Sequence, residues 1–172
     1  MDLCGRWNHH ENVLPFSDSC KKVPLESLYP FFVENSWMKC LEGKNILVIH
    51  PFTETILSQY EKRDNLFPNR EWIADFQLKT IKAVQSIAGE PTPYKNWFEA
   101  LESMTSQIEK SNFDIAIIGC GAYGTPLAAH CKQLGKKVIH LRGGGQLFFG
   151  IKGRRWEHQY PNLCYRNMFK EY

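Results

Sequence analysis

Gly119, Gly121 and Gly124 form a G-x-G-x-x-G pattern, and its flanks decide what it can do. Asp114–Ile118, reading DIAII, precedes it as an apolar run of strand type, and Thr125-Pro126 follows as a helix start. In a strand–turn–helix setting the three glycines have separate uses. Gly119 permits a tight turn, Gly121 lets backbone approach a phosphate, and Gly124 lets the helix pack on the strand. The N–H groups of the first helical turn then face the anion. A nucleotide phosphate and a purely structural turn both satisfy the pattern.

Charge bears on that choice. Between Ile115 and Trp156 there is no Asp or Glu, while Lys132, Lys136, Lys137, Arg142, Lys152, Arg154 and Arg155 all lie there. The whole chain carries +3, so with these seven removed the remainder sums to −4. A basic segment in a near-neutral chain points to an anionic ligand, or else to a solvated surface. Its overlap with the glycine-rich turn favours the ligand. No nucleic-acid partner is expected.

A dinucleotide site places an acid at the end of the next strand to hold the ribose hydroxyls. Here that place reads His140-Leu-Arg142, with no acid. Arg142 would suit the extra phosphate of NADP, which keeps an NADP-binding reductase-like module as an alternative. The candidate nucleotide-binding set is Gly119, Gly121, Tyr123, Gly124, Thr125, His140, Gly143, Gly144, Gln146, Arg154 and Arg155. Within it, Gly143-Gly-Gly145 with Gln146 reads as a loop able to close on a ligand, or as a plain turn. Arg154-Arg155-Trp156 reads as a clamp for a diphosphate with an aromatic platform for a base, or as a surface tail. His50 and Glu54 are the candidate catalytic pair, as base and orienting group or as sugar contacts. The plainer reading is a hydrogen-bonded histidine beside a carboxylate favoured by a helix dipole. No G-x-S-x-G nucleophile elbow and no P-loop occurs. Cys4, Cys20, Cys40, Cys120, Cys131 and Cys164 form no C-x-x-C pair and read as free thiols, with no metal ligands among them.

These residues need elements to hold them. At 172 residues the chain is expected to be a single domain over 1–172, with no need of staples. Residues 1–43 read as irregular, 44–151 as a Rossmann-like core and 152–172 as a basic, aromatic tail. A short helix is possible near Leu25–Leu28. Strands are expected at Asn45–His50, Phe76–Ile87, Asp114–Ile118 and Lys137–Leu141, with a helix from Trp72 competing for the second. Helices are expected at about Thr53–Arg63, at Trp97–Lys110 with Asn96 as cap, and at Thr125–Leu134 with Thr125 as cap and Gly135 as stop. Asp64–Arg70 reads as loop, Arg142–Gly145 as a flexible loop, and Gln146–Ile151 as one more short element. The fold class is therefore α/β, a Rossmann-like parallel sheet of about four strands with helices on both faces. The loops His50–Glu54, Gly119–Thr125 and Leu141–Gln146 should meet beyond the carboxyl ends of its strands. No apolar run reaches the roughly 18 residues of a membrane span, and no leader is visible, so a cytoplasmic location is expected.

KNILVIHPFTETILSQYEKR, LKTIKAVQSIAGE, WFEALESM and, above all, FDIAIIGCGAYGTPLAAHCKQLGKKVIHLRGGGQLFFGIKGRRW carry a family likeness. They resemble bacterial proteins, often of polysaccharide loci, with a glycosyltransferase fold of the GT-D type. The likeness runs from Met1 to Trp156 and is most specific from Phe113 onward. It implies a nucleotide-sugar donor, with a UDP-sugar first, and transfer of the sugar to a glycan or lipid-linked acceptor. It implies that the Gly119–Gly124 turn and the basic stretch face the donor's diphosphate, and that Mn2+ or Mg2+ takes part. Such enzymes carry an acidic Asp-x-Glu motif, and this chain has neither D-x-E nor D-x-D, so no ligands for that metal are identified. Its start reads like the interior of longer members and its tail after Trp156 is short. A partner chain supplying an N-terminal segment, or a non-catalytic role for a partial domain, is therefore a further expectation.

Overall fold

The computed structural model describes residues 2–6, 20–30, 33, 36–66, 74–85 and 91–151. The tail 152–172, with Arg154 and Arg155, lies outside them. Strand β3 (Asn45–His50) is the centre of the sheet, pairing in parallel with β4 (Gln77–Lys82) on one side and β5 (Ile115–Ile118) on the other. β5 then pairs in parallel with β6 (Lys137–His140), giving the order β4-β3-β5-β6. The unbroken apolar run of β3 follows from this position, since Ile46 to Ile49 are all buried and a central parallel strand is covered on both faces.

Helices α1 (Thr53–Glu61), α3 (Trp97–Glu109) and α4 (Gly124–Gln133) make the crossovers. Alternate residues of the strands feed two cores. Leu47, Ile49, Ala116 and Ile118 pack with Met104 and Ile108 of α3 and Leu127 and Cys131 of α4. Ile46, Val48, Ile115 and Ile117 pack with Ile56 of α1, with Met38 and Leu41, and with Phe148 and Phe149. Helices thus cover both faces, as the sequence implies.

Local chemistry sets the helix ends. Asn96 Oδ1 accepts from the Glu99 N–H at 3.0 Å while Glu99 Oε2 accepts from the Lys95 N–H at 2.8 Å, a reciprocal cap on α3. Gly135 takes φ +73°, and the Lys136 N–H bonds back to the Cys131 carbonyl at 3.0 Å, closing α4 as expected of a left-handed glycine stop.

Several expectations need correction. Residues 1–43 are not wholly irregular: β1 (Leu3–Arg6) pairs in parallel with β2 (Lys21–Pro24), and a 3-10 turn forms at Trp37–Leu41 in addition to the short helix, of 3-10 type, at Leu25–Leu28 where one is expected. Four-residue strands that pair at long range leave no local period to read. The second strand is half the length expected, because its partner β3 ends at His50 opposite Lys82. Asp64 belongs to a short helix α2 (Arg63–Leu66) rather than to loop. Thr125 does not cap α4, which begins one residue earlier on a 3-10 turn at Gly121–Tyr123 and has no side-chain cap. Arg142–Gly145 is not a free loop but the start of a 3-10 helix over Arg142–Phe149, pinned by burial of Leu147, Phe148 and Phe149. Among the described residues, no helix is long and apolar enough to cross a membrane.

Candidate functional site

From β3 the chain crosses to β4 on one side and later, through α3, to β5 on the other, so the strand order reverses between β3 and β5. A crevice outside the carboxyl ends of the strands at such a reversal is the usual ligand position in open α/β sheets. In this sheet that position falls between Pro51-Phe52, after β3, and Gly119–Tyr123, after β5. The segment after β6, from Leu141, borders β5 on the same edge. The three segments named from the sequence therefore share one edge of the sheet.

The glycines divide their work differently from the sequence reading. Gly119 is still part of the sheet: its N–H donates to the Ile49 carbonyl at 2.9 Å, and its φ is not left-handed. Gly121 makes the turn, with φ +57°, and a Cβ there would meet nothing within 4 Å. Open space before the first turn of α4 is what a close backbone approach to an anion needs. Gly124 packs helix on strand as expected, since a Cβ there would run into the His140 imidazole of β6. Gly124→Ala should thus destabilise the fold by about 1–3 kcal/mol through overpacking, and adding His140→Ala should restore most of it. Melting of the single and double variants checks this; an unchanged Tm for Gly124→Ala would show that His140 swings aside.

Other candidates are drawn into packing. Tyr123 is buried and stacks on Trp97, the rings 5.2 Å apart and 7° from parallel. Burial raises its phenol pKa, with the neighbouring Cys120 adding to it. Gly144 lies under the Tyr29 ring, which a Cβ would strike at 2.6 Å. Gln146, 7% exposed, donates from Nε2 to the Ile151 carbonyl at 3.2 Å and closes the end of its own 3-10 helix. Thr125 and Gly143 stay exposed at the surface. Cys120, inside the glycine turn, is held as a thiol, with burial pushing its pKa up to about 12.

The proposed acid–base pair does not form. His50 is 3% exposed, and its Nδ1 accepts from the Phe52 N–H at 3.1 Å. Glu54 is exposed in the first turn of α1 and faces Lys82 across 3.6 Å. Burial lowers the His50 pKa to about 4, so the ring is neutral near pH 7. Lys82, at the carboxyl end of β4, and Phe52, 41% exposed against the His50 ring at 5.2 Å, are site-edge residues that the sequence reading missed. Only the register that ends β4 opposite His50 brings Lys82 there, and no local pattern carries it.

The basic segment splits in space. Lys132 lies in the last turn of α4, pairing with Asp2 at 2.6 Å. Lys136 sits 5.4 Å over the Phe113 ring, and Lys137 opens β6. All three are at the amino edge of the sheet, a helix length from the glycine turn. Of the described backbone, only Arg142 brings a residue of that run to the carboxyl edge. Among the described residues no group of three or more His, Cys, Asp or Glu could hold a metal ion. What this edge offers is backbone donors, a helix dipole and a neutral imidazole, which suits binding an anion more than acid–base chemistry. Comparison with protein-family models, with curated proteins and with solved structures gives no match to this chain.

Proposed function

We propose that the chain binds the diphosphate of a nucleotide-sugar, a UDP-sugar first, in the crevice between the segment after β3 and the Gly121 turn. It acts there as a glycosyltransferase-like protein of the cytoplasm, handling a donor whose sugar passes to a glycan or lipid-linked acceptor. The observation that carries the reading is Gly121: a left-handed glycine with open space beside it, opening α4 at the point where the strand order reverses. The sugar-nucleotide part is supported by the resemblance of Phe113–Trp156 to GT-D proteins. The described residues supply binding groups and no acid–base pair, so the transfer step itself needs groups beyond them.

A thermal melt tests the reading. UDP at about 100 times its dissociation constant should add roughly 2.7 kcal/mol of stability, or about 5–10 °C in Tm for a chain of this size. NADPH should leave the melt unchanged. Stabilisation by NADPH and not by UDP would replace this reading with the reductase-like one, and stabilisation by neither would remove the nucleotide site.

A further inference from the structure

We infer that His50 is a ligand-binding residue of this edge of the sheet, whose Nε2–H donates a hydrogen bond to an oxygen of the bound nucleotide diphosphate. The inference rests on the nucleotide reading above and makes His50 a donor, where the sequence offers a base, a sugar contact or a hydrogen-bonded histidine.

The tautomer follows from geometry. A backbone N–H only donates, so the Phe52 N–H at 3.1 Å requires a lone pair on Nδ1. In a neutral imidazole the proton is then on Nε2, which becomes a fixed donor. The low pKa that burial imposes keeps the ring in that neutral form. With its one lone pair taken by Phe52, the ring has none to offer a substrate proton, so it cannot start as a base.

Place and satisfaction supply the rest. His50 is the last residue of β3, one step beyond Ile49, whose carbonyl receives the Gly119 N–H at 2.9 Å. It therefore stands at the strand reversal, beside the turn that leads to Gly121. Among the described residues no acceptor bonds Nε2, and Nε2 is not one of the buried side-chain atoms left without a partner, so it reaches solvent. A donor that water reaches in the free protein is open to a ligand, and an anionic oxygen forms a stronger, charge-assisted hydrogen bond with it than water does. Lys82, paired in register with His50, is exposed and faces Glu54 across 3.6 Å. His50 itself is a neutral donor that brings no charge of its own.

Two measurements on the full chain test this. In titrations with UDP, His50→Leu should weaken binding by about tenfold to a hundredfold, while His50→Gln, whose amide can stand in for Nε2–H, should stay within about threefold. Long-range nitrogen–proton spectra of the parent protein should show His50 protonated on Nε2, with that signal moving when UDP is added. Melting each variant without ligand checks that it folds, and if His50→Leu does not fold, His50→Gln and the spectra decide alone. Equal affinity in His50→Leu, a loss in His50→Gln as large as in His50→Leu, or an Nε2–H signal that ignores UDP would each overturn the inference. A parent protein that fails to bind UDP is a different failure. It removes the nucleotide reading itself, before any variant is compared.

Discussion

Truncating Tyr123 to alanine should cost about 3–5 kcal/mol of stability, enough to lower Tm by roughly 10 °C. The ring is 8% exposed and lies flat on Trp97 at 5.2 Å, in the core that α3 and α4 share with one face of the sheet. Removing it opens a cavity between the first turn of α3 and the turn that starts α4, and it also removes a stacked pair worth about 0.5–1.5 kcal/mol beyond the buried area. Tyr123→Phe keeps ring and stack, and it should change stability by less than about 1 kcal/mol and leave UDP affinity as it was. The pair of variants separates two roles that the sequence leaves together. If the hydroxyl touches the nucleotide, Tyr123→Phe loses affinity while melting normally. If the ring anchors the turn, only Tyr123→Ala is affected, and it is affected in stability first. Chemical denaturation of both variants, read beside UDP titrations, distinguishes these outcomes.

Tyr123 also shows where the sequence is legible. The strands β3 and β5, the helices α3 and α4 and the stop at Gly135 are written in local chemistry: an unbroken apolar run, a capping asparagine, a glycine where a helix must end. Parallel order follows from strand and helix alternation, so the edge that gathers Pro51, Gly119 and Leu141 could be named before any coordinates. What could not be read is pairing in space. Lys132, Lys136 and Lys137 are neighbours of the glycine turn in sequence, but α4 carries them to the far edge. Lys82 is remote in sequence and arrives at the near edge through the β3–β4 register. Glu54, just beyond the strand that ends at His50, reads as its partner, yet Lys82 engages it and a backbone N–H engages His50. Tyr123 and Gln146 have side chains suited to a ligand, and the fold engages both internally, Tyr123 on the Trp97 ring and Gln146 on the Ile151 carbonyl. In each case the residue type was readable and its neighbour was not.

Gly121 is where a substitution should have its largest effect on ligand binding. At φ +57° an ordinary L-residue pays about 1–2 kcal/mol, and a β-branched one more, because Cβ crowds the following carbonyl. Gly121→Val is therefore not a clean probe: it should destabilise the chain by about 1–3 kcal/mol whether or not a nucleotide binds nearby. Gly121→Asn avoids the difficulty, since asparagine tolerates the left-handed region and its Cβ would meet no protein atom within 4 Å. It should melt within about 1 kcal/mol of the parent. If the diphosphate rests on this turn, the new side chain stands in its place, and UDP affinity should fall by at least about tenfold, or 1.4 kcal/mol. The same space that makes the substitution harmless to the fold makes it harmful to the ligand. A Gly121→Asn protein that is stable and binds UDP as well as the parent would move the site away from this turn. A Gly121→Val protein as stable as the parent would show that the turn does not need its left-handed glycine. Loss of affinity in the stable asparagine variant would instead tie the nucleotide to the first turn of α4.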